Sequence, residues 1–193
     1  MARDRFPEWY PWLLCGLRTG LRAGELLALQ WSDVNWRGGY VQIHRNLVRG
    51  QLTTPKNHQR RRVDLSRQLQ VALRLWRRRE RVAWLQKGLP RPDWMFASVS
   101  GTALDESNVR KAFNRLLDAA DLDRRGPHQM RHTFASQLLH DGAPITCVTR
   151  QLGHKDASIT LRVKNQLSAL SAVVSRVGIE PTTRRLRVCC SAN

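Results

Sequence analysis

Only two stretches of this chain alternate apolar and polar residues, Tyr40-Val41-Gln42-Ile43-His44 and Arg61-Arg62-Val63-Asp64-Leu65, and the periodic segments on both sides of them repeat at helical spacing. A chain with so few strand segments, placed together between helices, has no βαβ units from which to build a parallel sheet. The expected fold is therefore α+β and mainly α: helices, a small antiparallel sheet introduced by the Gly38-Gly39 turn signal, and then helices again.

Helical spacing runs from Trp9 to Leu17 and from Ala23 to Trp31, with Thr19-Gly20 as the break that places Arg22 at the entrance of the second helix. Ser66 is a suitable N-cap for a long helix to about Lys87, with Leu69, Leu73, Trp76, Val82 and Trp84 on its inner side and an arginine-rich outer face. The Gly88 to Pro92 segment stops that helix, Trp94-Met95-Phe96 reads as a short buried segment, and Ser107 to Ala120 as another amphipathic helix. Beyond Gly126-Pro127 come a helix to His140, a stop at Gly142, a helix begun by Pro144 and running to about Leu152, and a last one near Ala157 to Arg162.

Charge narrows the function. Lys and Arg total 33 against 15 Asp and Glu, a net charge of +18 over 193 residues, which implies phosphates or another anionic surface as partner. Arginine supplies 28 of the 33 cations, which fits either bidentate phosphate contacts or a GC-rich coding sequence. The hydrophobic share of 41% argues against a disordered chain. No apolar run is as long as a membrane span requires and no signal-peptide core is present, so a cytoplasmic protein with no membrane partner is expected. Cys15, Cys147, Cys189 and Cys190 show no ligand or framework spacing; reduced thiols and no metal site are expected. The seven tryptophans do not alternate with basic residues on a strand, so most are expected in the core rather than on a base-stacking platform.

Three strings carry more specific information: Thr19-Gly20-Leu21-Arg22-Ala23-Gly24-Glu25-Leu26, then Pro127-His128-Gln129-Met130-Arg131-His132-Thr133-Phe134-Ala135-Ser136, then Gln151-Leu152-Gly153-His154-Lys155 through Leu161-Arg162-Val163. Taken singly, Arg22, Lys56, His128 or His154 reads as a solvated charge, a residue near a helix cap, or part of a helix end. In this order and at these separations, the strings resemble the catalytic domain of the tyrosine recombinases, the phage integrase family. The resemblance covers residues from about 10 to 163, so 1–163 is expected to form the catalytic domain, with 164–193 an aperiodic tail.

The resemblance implies strand cleavage through a 3′-phosphotyrosyl bond, which needs no metal and no cofactor. It implies that Arg22 and Arg131 neutralise the phosphate, that Lys56 protonates the leaving oxygen, that His128 relays a proton and that His154 donates to the phosphate. Glu25, one turn after Arg22, would hold that arginine; Arg60, Arg61 and Lys155 would touch DNA backbone. The expected partner is double-stranded DNA, with copies of the chain assembling on it as a tetrameric synapse, in a bacterial or phage-encoded, nucleoid-associated setting.

Two departures stand out. The family's nucleophilic tyrosine falls nine residues after the Leu-Gly-His histidine, and Val163 stands there, with no nucleophilic atom to offer. Only about nine residues precede the first helix, where these integrases carry a helical DNA-clamping domain. The residues after Arg162 read as frameshifted or read-through sequence. The expected function is thus a site-specific recombinase disarmed by Val163, with a non-catalytic DNA-binding remnant as the alternative. A helix-turn-helix transcription factor would leave the Arg, Lys and His set without a purpose.

Overall fold

The computed structural model describes residues 2–54 and 60–153. In chain order the elements are α1 (Ala2–Arg5), α2 (Tyr10–Thr19), α3 (Ala23–Leu27), a 3-10 turn (Trp31–Asp33), β1 (Val34–Asn35), β2 (Tyr40–Ile43), β3 (Asn46–Val48), β4 (Gln51–Thr53), β5 (Arg61–Asp64), α4 (Arg67–Gln86), α5 (Glu106–Ala119), α6 (Gln129–His140) and α7 (Ile145–Leu152). This is the α+β, mainly α fold expected. The last expected helix, near Ala157 to Arg162, lies outside the described residues.

The two alternating stretches pair with each other, β2 running antiparallel to β5 with Val41 opposite Val63 and Ile43 opposite Arg61. A short β1 adds to the other edge of β2, and β3 and β4 form a separate two-stranded hairpin. Neither β1 nor that hairpin was expected. β1 has two residues and β4 is exposed throughout, so neither has enough alternation to signal a strand.

α2 is nearly all buried, from Trp12 through Thr19, and the main core gathers around it from α3, the three-stranded sheet, α4 and α5. A second apolar cluster, Phe134, Ala135, Leu138, Val148 and Leu152, joins α6 to α7. Gly20 locks the two together. It ends α2 in the left-handed conformation (φ 61°), and a Cβ there would stand 2.3 Å from the Phe134 ring, so no side chain fits at that point.

Ser66 caps α4, its hydroxyl accepting from the Leu69 amide at 3.2 Å. α5 begins one residue earlier than expected because the Asp105 carboxylate accepts from the amides of Ser107 and Asn108. α3 stops well short of Trp31. Its continuation is diverted into strand-like pairing: Gln30 bridges Trp94, Leu29 accepts from the Met95 amide at 2.9 Å, and Trp31 donates to the Asp93 carbonyl at 2.9 Å. Val82 was expected on the inner side of α4 but is exposed; Leu69, Leu73 and Trp84 are the buried positions of that helix. Trp12, Trp31 and Trp84 are buried, and the other four tryptophans are half-buried. Cys15 is a free thiol pushed up to about 12 by complete burial, against which the Thr19 hydroxyl acts only weakly. Among the described residues, no helix is long and apolar enough to cross a membrane.

Candidate active site

Glu25 is 1% exposed, and a carboxylate that deep needs every oxygen lone pair answered. It accepts four hydrogen bonds. The backbone N–H of Arg22 reaches Oε2 at 2.9 Å and the Arg22 guanidinium reaches Oε1 at 2.9 Å. The Arg61 guanidinium closes on both oxygens, Nη1 to Oε1 at 2.8 Å and Nη2 to Oε2 at 2.6 Å, a bidentate fork. Arg22 occupies the N-cap of α3 with extended backbone (φ −65°, ψ 151°), so Glu25, in the first turn, folds back on it as the acidic half of a capping box. Burial raises the Glu25 pKa, but the Arg61 and Arg22 bonds and charges outweigh it, and the net direction is down.

Arg131, on the first turn of α6, is 3% exposed and enters the same region from the other side. Its Nη1 donates to the Gly20 carbonyl at 2.7 Å and its Nη2 to the Leu152 carbonyl at 2.5 Å. Those two acceptors are the carbonyl at the end of α2 and the last carbonyl of α7, so one guanidinium ties three helices. Burial, followed by the charges of Arg22 and Arg61 and against that of Glu25, draws the Arg131 pKa down to about 9, still charged at neutral pH. A guanidinium has five N–H donors, and these two bonds leave three.

His128 sits at the N-cap of α6, its ring edge-on to that of His132 with centroids 5.0 Å apart. Burial, the neighbouring His132 and the charges of Arg131 and Arg22 all lower its pKa. At pH 7 it is a neutral imidazole, able to accept a proton. His132 is lowered for the same first reason, burial, and then by Arg131; its Nδ1 is buried with no hydrogen-bond partner among the described residues.

Of the residues singled out in the sequence, Arg22, Glu25, Arg131 and His128 are brought within electrostatic reach of one another from α3 and α6. Lys56, His154, Lys155 and Val163 lie outside the described residues. Arg60 is exposed. Arg61 corrects an expectation: instead of lying on the surface beside Arg60, its side chain is 10% exposed and spent on Glu25, with Nε also donating to the Gln151 carbonyl at 3.1 Å. Strand alternation is the reason. Arg61 shares a face with Val63, which is fully buried, while Arg62 points the other way and lies 4.5 Å over the Tyr40 ring. Gln151 is also new to the site; its Nε2 donates to Asp64 at 3.2 Å and fastens α7 to β5. Gly153, with φ 64°, lets the chain pass close to Arg61, where a Cβ would meet the arginine side chain at 3.0 Å.

Two guanidiniums therefore bond one carboxylate and the charge of a third reaches it, so the cluster carries an excess of positive charge in a largely buried setting. That arrangement favours an anion with several acceptor oxygens, and the neutral imidazole beside it can take up a proton.

A tyrosine recombinase XerC-like protein of Caldanaerobacter subterraneus subsp. tengcongensis is 28% identical over 169 residues, covering 78% of this chain and 43% of the relative. The chain thus spans less than half the length of that protein. Among solved structures, the XerA recombinase superposes with a TM-score of 0.69 at 24% identity, over 91% of this chain and 60% of that one. The Tn1549 transposon integrase in complex with circular intermediate DNA gives 0.70 at 19% identity, over 90% and 61%. The model of the phage integrase family matches residues 12–169, and the chain belongs to that family.

Proposed function

We propose that this chain is the phosphate-binding, catalytic-type region of a site-specific DNA recombinase, and that Val163 leaves it able to hold duplex DNA but not to cut it. The observation that carries the reading is that Arg22 and Arg131, far apart in sequence, lie within electrostatic reach of each other and of the Glu25 carboxylate, with positive charge to spare. A phosphodiester gains negative charge on its non-bridging oxygens as it is attacked, and fixed guanidiniums lower that barrier without rearranging. Glu25 sets the Arg22 guanidinium and the Gly20 and Leu152 carbonyls set that of Arg131, so both planes are fixed before a ligand arrives.

In this reading Lys56 protonates the departing 5′ oxygen, His154 donates to the phosphate and His128 accepts the proton that a nucleophile would release. Residues 1–163 form the catalytic unit, residues 164–193 contribute nothing to it, and copies of the chain assemble on DNA. The Tn1549 integrase, solved with DNA, supports duplex DNA as the ligand. The supply of every group but the attacking oxygen favours occupation of DNA without cleavage.

The test is a denaturing gel on a nicked suicide duplex. The unmodified chain is expected to bind the duplex and give no covalent adduct. Val163→Tyr is expected to give a partial yield of 3′-phosphotyrosyl adduct, which Arg131→Ala abolishes. Adduct from the unmodified chain would show that another residue attacks and would overturn the disarmed reading.

A further inference from the structure

The outer face of α4 holds a second concentration of positive charge that the Glu25 cluster does not use. Arg74, Arg77, Arg78 and Arg81 of α4, with Arg91 from the loop after it, line an open groove of about 660 Å³ together with Trp36 and Leu85. Of its two neighbouring indoles, Trp36 lies in the lining and the buried Trp31 stacks on it, with centroids 6.5 Å apart and planes 21° apart. Arg74 lies 4.6 Å over the Trp36 ring, Arg91 lies 5.1 Å over Trp31, and Arg77 lies 5.8 Å from both. Among the described residues no carboxylate is ion-paired with any of these five arginines; Asp93 and Glu80 reach Arg91 only through their fields.

Like charges three and four residues apart on a helix repel one another, and here Arg74, Arg77, Arg78 and Arg81 are concentrated in a concavity with no ion-paired carboxylate among the described residues. Stacking on an indole face holds a guanidinium plane while leaving its N–H edge free for paired bonds to oxygen. We propose that this groove is a second nucleic-acid site that grips the phosphodiester backbone of a duplex segment other than the one at the Glu25 cluster. From Arg74 to Arg81 the helix advances about 10 Å, the span of about three phosphates of one strand. Leu85 is the single exposed aliphatic side chain in the lining, which leaves an acidic protein segment little apolar anchorage. No lining residue belongs to the Glu25 cluster, so the proposal needs no chemistry there.

The experiment uses the full chain and a short duplex of arbitrary sequence. Arg77→Gln/Arg81→Gln/Arg91→Gln keeps part of the Arg77 and Arg91 stems over the indoles and removes three charges. The slope of log affinity against log salt is expected to fall by about two to three in this variant, with its circular dichroism unchanged. A companion measurement needs no variant: phenylglyoxal modification of the unmodified chain, mapped by mass spectrometry. Duplex DNA should protect Arg77, Arg81 and Arg91, and polyglutamate should not. An unchanged slope, protection by polyglutamate alone, or protection by neither would overturn the proposal. These outcomes are separate from adduct formation, so the groove and the Glu25 cluster can fail independently.

Discussion

Around Glu25 the arginines are buried, hydrogen bonded and tied to distant helices, whereas along α4 they are open to solvent, lie over aromatic faces and have no paired carboxylate among the described residues. Both sets carry more positive charge than they balance, but the fold bears the cost differently. Burying a guanidinium is tolerable only if its donors are met and its charge partly offset, so the first set is built into the structure and its geometry is fixed. Exposed arginines lose little by remaining solvated, so the second set can be concentrated without structural compensation. The contrast teaches that arginine content alone says little: one set is built into the interior of the fold, and the other lies open along its surface.

The largest effect should come from breaking the first set. Glu25→Gln removes the charge shared by Arg22 and Arg61, leaving buried cations uncompensated, and is expected to cost about 3–5 kcal/mol in urea unfolding. A loss below about 1 kcal/mol would show that the cluster is not a structural unit and would erase the contrast with α4.

A pH series sharpens the same comparison. His128 and His132 are bases whose pKa is lowered in the folded chain, chiefly by burial, so the unfolded state binds more protons just below the ordinary histidine value of 6.5. Stability should therefore be complete above about pH 6.5 and fall as pH drops through the lower folded values. Glu25 adds a second loss, below the ordinary glutamate value of 4.5, because its folded pKa is depressed. His128→Asn/His132→Asn should flatten the first limb and leave the second. An unchanged first limb would place its origin elsewhere.

The smallest effect is expected on α4. Arg77→Gln relieves repulsion with Arg74 and Arg81 but loses its contact with Trp31 and Trp36, so stability should change by no more than about 0.5 kcal/mol in either direction. A loss several times larger would mean that this face is structural too.

The sequence made much of the frame legible where one physical rule acts locally. Ser66 before a helical run reads as a cap, Gly20 after one reads as a stop, and alternation around Val41 and Val63 reads as paired strands, because each signal spans a few residues. The early end of α3 was not legible, since it depends on residues 93–95 arriving to pair with Leu29, Gln30 and Trp31. Arg22, Glu25 and Arg131 came from motif strings rather than from geometry. Arg61 was misread within a run of three identical residues, although its two-residue spacing from Val63 carried the signal that it faces inward. Gln151 had no local signal: its partners are the Arg61 Nε and the Asp64 carboxylate, some ninety residues earlier.

The bonds from Arg131 to Gly20, 111 residues away, and from Arg61 to Gln151, 90 residues away, have a consequence for how the site comes into being. Contacts between such distant parts of a chain form only after long loops have closed, and they set the slow, non-local part of folding. The cluster around Glu25 is thus a late product of the whole chain, drawn from both ends and the middle, so neither half of a cleaved polypeptide contains it. The set of guanidiniums at this point is an arrangement that partial folding cannot supply in part.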